Sequence, residues 1–373
     1  PFFLFMGYIL EDSGLMNRLF KAFQLMLARV SGSLYLAVTS TATIFAAATG
    51  IVGSSITLLG VMAAPTMRES RYNTRLSAGC ITAGGTLGIL IPPSIMLVVM
   101  GPVVGVPVTE LFTAAILPGV LLASLYMAYA MIRSYFKPEL GPPLPEHLRA
   151  PSTAWIMKEF LMGVIPVSTL IMATLGSIMT GMATPTEGAA AGAAGAMVLT
   201  LAYKKLSFEG LKKSMFRTLQ ISAMILLLVA ASNFFGSVFS RLGSADLLTE
   251  LLLQTNLPPT LMLILILGLI FVLGWPLEWV PIVLIILPIL LPMVNEIGYN
   301  LTWFSILVAV TLQTAWLSPP VALSAYFLKG VVPDWDLKDI YAGMMQFMAL
   351  QCIGALLILF FPSIATWLPS VLK

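Results

Sequence analysis

The sequence predicts an all-α polytopic membrane protein with two inverted structural repeats, each holding a re-entrant helical hairpin and a broken helix. Three observations carry that expectation. Hydrophobic residues make up 59% of the 373 and charged residues 9%. A soluble domain carries about 25% charge, so this chain has too few charges to coat a water-facing surface of its own size. Its apolar runs are repeatedly cut by Gly and Pro, and two of them are too short to cross a hydrocarbon layer of about 30 Å. Finally, Pro65 and the Pro92-Pro93 pair recur as Pro292 and Pro319-Pro320, each 227 residues on.

The elements follow in order. Residues 1–10 are apolar but shorter than a crossing. The stretch 15–30 places Arg18, Lys21 and Arg29 among apolar residues at helical spacing, as an interfacial helix does. Apolar segments at 33–52 and 54–67 are separated by a glycine break, and segments at 79–100 and 109–132 come next. A Pro-rich linker leads to crossings at 156–180, 188–203 and 215–237. A second broken pair occupies 261–273 and 280–294, followed by 303–317 and 340–369. The short arms 54–67 and 280–294 read as halves of re-entrant hairpins, tolerated only where protein or a cavity covers their backbone. Further amphipathic stretches, 68–75, 242–253 and 295–301, flank the hairpins.

Charge sets the orientation. Around the first hairpin stand Arg18, Lys21, Arg29, Arg68, Arg71 and Arg75, which marks that side as cytoplasmic. Around the second stand Arg241, Asp246, Glu250 and Glu296, an outer-side pattern. The loops with Arg133, Lys137 and Arg149, with Lys204, Lys205, Lys212 and Lys213, and with Lys329 and Lys338 read as cytoplasmic, and the C-terminus as outer. One hairpin therefore opens inward and the other outward, as an inverted repeat requires. Met6-Gly7 with Gly14 resembles Phe235-Gly236 with Gly243 at an offset of 229. The expected division is a first repeat over 1–132, a cytoplasmic linker over 133–155 and a second repeat over 156–373. The hairpins lie at about 33–67 and 261–294, and the broken helices at 79–100 and 303–326. The two crossings over 156–203 have no counterpart in the first repeat, so about 70 further residues are expected before residue 1.

Several functions drop out. His147 is the one histidine and sits in a polar linker. Cys80 and Cys352 lie far apart in apolar runs, which leaves neither a disulfide framework nor a zinc site. No G-x-x-x-x-G-K-[ST] loop for ATP is present. The net charge of +3 lies in membrane-flanking loops, against nucleic-acid binding. No nucleophile–base pair suggests an enzyme.

The candidate site residues cluster at the breaks. Gly50 and Gly53 let the backbone turn at membrane depth, and Ser54 and Ser55 beside them offer oxygens to a hard cation such as Na⁺ or to a polar solute; a packing kink is the alternative. Thr86, Pro92, Pro93 and Ser94 mark the first broken helix, where two prolines in a row remove two donors and leave carbonyls free. The repeat mates are Gly274 and Glu278 at the second hairpin turn and Thr314, Ser318, Pro319 and Pro320 at the second broken helix. Glu278 is an ionisable group far from any loop, with helix capping as its alternative role. Ser54, Ser55, Glu278 and Thr314 are the candidate Na⁺ ligands. Thr184 to Gly188 reads chiefly as helix N-terminal chemistry, with Thr184 opening a helix whose first turn holds Glu187.

The strings FAAATGIVGSS (45–55), GTLGILIPPS (85–94), ATPTEGAAAGAAGA (183–196) and LQTAWLSPPVALSAYFLKGVVP (312–333) resemble the large membrane permease subunit, of DctM type, of tripartite ATP-independent periplasmic (TRAP) transporters. The resemblance covers essentially the whole chain, and GTLGILIPPS with ATPTE is highly specific. It implies a multi-pass prokaryotic inner-membrane protein with elevator-type motion and Na⁺-driven symport, with no cofactor beyond that coupling ion. It also implies two partners, a small membrane subunit and a periplasmic solute-binding protein that delivers a small-molecule substrate, often an organic acid. It places the ion and substrate site at the two hairpin tips and two broken helices, hence at the fourteen residues named above. Three departures stand out: Ile51-Val52 intervene before the Gly-Ser-Ser run that in many members directly follows FAA-x-Ser-Gly, and many members have Asp where Glu278 stands and Gly where Ala322 follows the second proline pair. The alternative reading is a gated channel for small solutes or ions.

Overall fold

A computed structural model describes residues 1–149, 152–244, 247, 250, 254, 257–319 and 321–372, and among them it is all helical. The chain begins with α1 (Phe2–Asp12) and α2 (Leu15–Met26). The first hairpin is α3 (Ser33–Thr49) and α4 (Val52–Glu69). Its turn requires Gly50, whose φ of 62° lies in the left-handed region. The first broken helix is α5 (Thr74–Thr86), a 3₁₀ turn at Leu87–Ile89, an irregular stretch through the prolines, and α6 (Ile95–Val104). There α7 (Val108–Phe136) follows, then α8 (Thr153–Met179), α9 (Pro185–Ala202) and α10 (Phe208–Arg241). The second hairpin is α11 (Pro259–Gly274) and α12 (Trp279–Ile297), the latter containing a π-helical turn at Ile282–Ile286. The second broken helix is α13 (Leu301–Gln313), a 3₁₀ turn at Thr314–Trp316 and α14 (Leu323–Val331). The chain continues through α15 (Leu337–Phe360) to α16 (Ser363–Val371).

The repeat is written into the geometry. Asn73 and Asn300, 227 residues apart, each cap a 13-residue helix by accepting a hydrogen bond from the backbone N–H three residues on. Both helices end in a 3₁₀ turn at the same register, Leu87–Ile89 and Thr314–Trp316. Gly14 and Gly243 both take left-handed φ, 72° and 68°.

The two hairpin mouths lie at opposite ends of α15. At its start, Asp334 and Asp339 pair with Arg68 and Arg75 at 2.6 and 2.7 Å, beside the first mouth. Near its end, the Ile358 carbonyl accepts from Trp303 Nε1 at 2.8 Å, beside the second. The linker shares the first end, since Gly32 N–H donates to the Gly141 carbonyl and His147 contacts Glu69. With 24 residues, α15 measures about 36 Å at 1.5 Å per residue, more than the hydrocarbon thickness. The hairpins thus open in opposite directions.

Small residues make the core. α5 is buried from Leu76 to Thr86, and its glycines admit neighbours. A Cβ at Gly85 would stand 2.3 Å from the Ile56 side chain, and one at Gly79 2.6 Å from the Gly343 carbonyl oxygen. α10, by contrast, exposes Phe216, Leu219, Leu226, Leu227 and Phe234, a face suited to lipid or another apolar surface.

Two sequence expectations need correction, and a third falls largely outside the described residues. The segment 340–369 is two helices, because Pro362 has no N–H to continue the ladder and turns the chain after Phe361. The second arm of each hairpin is longer as a helix than as an apolar run: polar ends such as Arg68 and Glu69 in the first, and Asn295 and Glu296 in the second, remain helical. By length alone α12 would pass as a crossing. The amphipathic stretch 242–253 falls largely outside the described residues.

Candidate functional site

Each hairpin tip is seated on its own broken helix. A Cβ at Gly50 would stand 3.2 Å from the Pro93 carbonyl oxygen, and one at Gly88 3.7 Å from Gly50. In the second repeat, a Cβ at Gly274 would be 3.2 Å from Ala315 Cβ. The first tip also touches the other repeat. Gly53 leaves room for the Phe327 ring of α14, which a Cβ would meet at 2.7 Å. Phe327 in turn stacks on Trp316, with ring centroids 6.4 Å apart.

The hydroxyls at the breaks are mostly spent on backbone. Ser55 donates to the Ile51 carbonyl at 2.9 Å, Thr314 to Thr311 at 2.6 Å and Ser318 to Thr314 at 2.6 Å. Ser94 donates to the Ile89 carbonyl and also caps α6 by accepting from the Leu97 N–H. Thr86 donates to the Ala83 carbonyl and lies 3.1 Å from Gln351 Nε2. The Pro92-Pro93 peptide is cis. Gln313 is fully buried, and neither end of its amide has a hydrogen-bond partner among the described residues. Pro319 lies at the second break, and Pro320 lies outside the described residues. Thr184 and Glu187 form a complete capping box at the start of α9, which accounts for that motif structurally.

A cavity of about 450 Å³ lies between the tips. Of the sequence-predicted residues it collects Gly50, Gly53, Ser54 and Glu278. Glu278 also borders an adjoining cavity of about 170 Å³, whose wall includes Gly274. Ser55, Thr86, Pro92, Pro93, Ser94, Thr314, Ser318 and Pro319 do not line either space. Glu278 stands at the N-terminus of α12 without a side-chain cap bond, which removes capping as the reason for a carboxylate there. It has no ion pair among the described residues.

Two charged cavity residues are not among the sequence candidates. Glu11, at the end of α1, accepts a hydrogen bond from Ser54 Oγ. Its other oxygen lies 3.7 Å from Arg217 Nη1 of α10, and the Arg217 guanidinium sits over the Tyr8 ring at 5.6 Å. The signal was present for Arg217, a basic residue inside the apolar run 215–237, where ionisable groups face protein or cavity. Glu11, at the edge of an apolar run, carried no comparable mark.

Comparison with known proteins decides the family. The model of the tripartite ATP-independent periplasmic transporter, DctM component, matches residues 1–364. The chain belongs to this family. It is 28% identical over 389 residues to the C4-dicarboxylate TRAP transporter large permease protein DctM of Rhodobacter capsulatus, covering 100% of this chain and 86% of that one. It is 26% identical to the sialic acid TRAP transporter large permease protein SiaM of Vibrio cholerae, covering 100% and 85%. It is 28% identical to the isethionate TRAP transporter permease protein DctMQ of Oleidesulfovibrio alaskensis, covering 98% and 56%. The Alcanivorax borkumensis YdaH transporter shares the fold, with a TM-score of 0.63 over 96% of this chain and 85% of that one at 16% identity. This DctM-family chain is thus a membrane-embedded permease subunit of a solute transporter and not an enzyme.

Proposed function

We propose that the chain moves a small organic acid across the bacterial inner membrane, driven by a Na⁺ gradient, with a periplasmic binding protein delivering the solute and a small membrane subunit beside it. The observation that carries this reading is the cavity between the two hairpin tips. Its volume of about 450 Å³ falls at the small-molecule end of ligand sites. Backbone broken at membrane depth offers carbonyls to cations and N–H groups to anions. Glu278 adds a carboxylate with no ion pair among the described residues, which a bound cation would neutralise. The relatives named for dicarboxylate, sialic acid and isethionate support an acidic cargo. Elevator motion is part of the same proposal, with the hairpins and broken helices moving against α1 and α10.

Uptake into proteoliposomes, with and without a Na⁺ gradient and with and without the binding protein, tests the reading. The expected result is concentrative uptake that needs both. Uptake that follows only the solute's own gradient would favour a channel, and uptake that persists without ion gradients but requires ATP would reject ion coupling.

A further inference from the structure

Three charged side chains line the central cavity: Glu11, Arg217 and Glu278. Arg217 is the one cation among them. A small organic anion entering a space that already holds two carboxylates needs a positive partner, since an unpaired charge at this depth is costly. We propose that Arg217 receives the acidic group of the solute, and that Glu11 occupies it as a stand-in carboxylate until the solute arrives. This inference rests on the organic-acid reading above.

The geometry of the pair supports it. Arg217 and Glu11 approach through a single contact of 3.7 Å, at the outer limit of an ion pair and without the paired hydrogen bonds that make an arginine–carboxylate contact strong. A guanidinium has five N–H donors in a planar fork, so most of this one's hydrogen-bonding capacity is unspent. Its side chain is 41% exposed, open to the cavity, while the Tyr8 ring supports one face. Glu11 is held elsewhere, by Ser54 of the first tip, and keeps that bond when Arg217 turns to another anion. The exchange replaces one long contact by a two-pronged one, and it leaves the Ser54–Glu11 link in place to report on the tip.

Opposite signs in two variants test the assignment. The transporter, assembled with its small subunit and binding protein in proteoliposomes under an inward Na⁺ gradient, is offered labelled succinate, isethionate and N-acetylneuraminate, with erythritol as a neutral probe. For the anion taken up, Arg217→Gln should raise KM about tenfold or more, the loss of a hydrogen bond to a charged group, while kcat changes less than about twofold. Arg217→Lys should fall between, keeping the charge but not the fork. Glu11→Gln removes the competitor, retains a partner for Ser54 and should lower KM about two- to fivefold. If Arg217→Gln does not assemble, the opposite shifts of Arg217→Lys and Glu11→Gln carry the test. A purely structural ion pair would move both variants the same way. An unmoved KM, or one raised alike by both substitutions, overturns this inference alone. Wild type that takes up erythritol only, or none of the four, overturns the organic-acid reading together with it.

Discussion

Gly343 of α15 meets the Arg75 carbonyl at the start of α5 so closely that a Cβ on Gly343 would lie 1.9 Å from that oxygen. Backbone cannot retreat as a side chain can, and a Cβ on the opposing Gly79 would lie 2.6 Å from the Gly343 carbonyl oxygen. This is a small-residue helix contact of the kind membranes favour, and it joins the two repeats.

Gly343→Ala should therefore destabilise the protein by about 3 kcal/mol or more, the upper end of overpacking. Gly330→Ala on α14, where a Cβ would meet nothing within 4 Å, is the matched control and should gain about 0.4–1 kcal/mol. Melting of the detergent-solubilised protein, followed by size-exclusion chromatography after heating, reads the difference. Equal melting temperatures for the two variants would refute the contact.

Ala322 carries the opposite lesson. It takes φ 30° at the start of α14, in the left-handed region that costs an alanine about 1–2 kcal/mol. Ala322→Gly relieves that cost and loses about 0.4–1 kcal/mol through the freer unfolded chain. The net expectation is a gain of about 0.5–1 kcal/mol, seen as a raised melting temperature. A lowered one would place Ala322 outside the left-handed region.

Glu278→Gln keeps the shape of the second tip and removes its charge. If the carboxylate faces the coupling cation, the Na⁺ concentration for half-maximal uptake should rise several-fold, while solute affinity at saturating Na⁺ stays nearly constant. Because the side chain makes no cap bond, thermal stability should hardly change. Unaltered Na⁺ dependence would remove Glu278 from the ion site.

The opposed hairpin mouths predict sidedness. Single cysteines at Arg71 and Asn295, in a background without Cys80 and Cys352, should react with a membrane-impermeant thiol reagent from opposite faces of the membrane. Arg71 should be the cytoplasmic one, by the basic residues around it. Labelling of both from one face would contradict the inverted arrangement.

Much of the fold was legible because its decisive features are local. Gly50 can be read as a turn, Pro92-Pro93 as a helix stop and Thr184 as the opening of a helix without knowledge of any neighbour. The repeat then doubled each signal. The site was legible only in part, for the same reason. Gly50, Gly53, Ser54 and Glu278 reach the cavity because tips must project somewhere. Thr86, Thr314 and Ser318 face helix carbonyls instead, since a hydroxyl one turn from a free carbonyl bonds it first. The pairing of Glu11 with Arg217 joins residues 206 positions apart, and nothing in the periodicity of α1 or α10 sets it. The break after Phe361 was visible as a proline and outweighed by the apolar run around it.

One helix, α15, runs between the rims of the two hairpins, held by Arg75 of α5 near one end and by Trp303 of α13 near the other. A rod of about 36 Å fixed at both rims acts as a calliper, setting how far apart they stand. Rocking that brought the rims together would have to snap the rod, which α-helices resist far more than they resist being carried. On the elevator motion proposed above, the two hairpins and their broken partners would then travel as one load, with the freedom at the seams with α1 and α10.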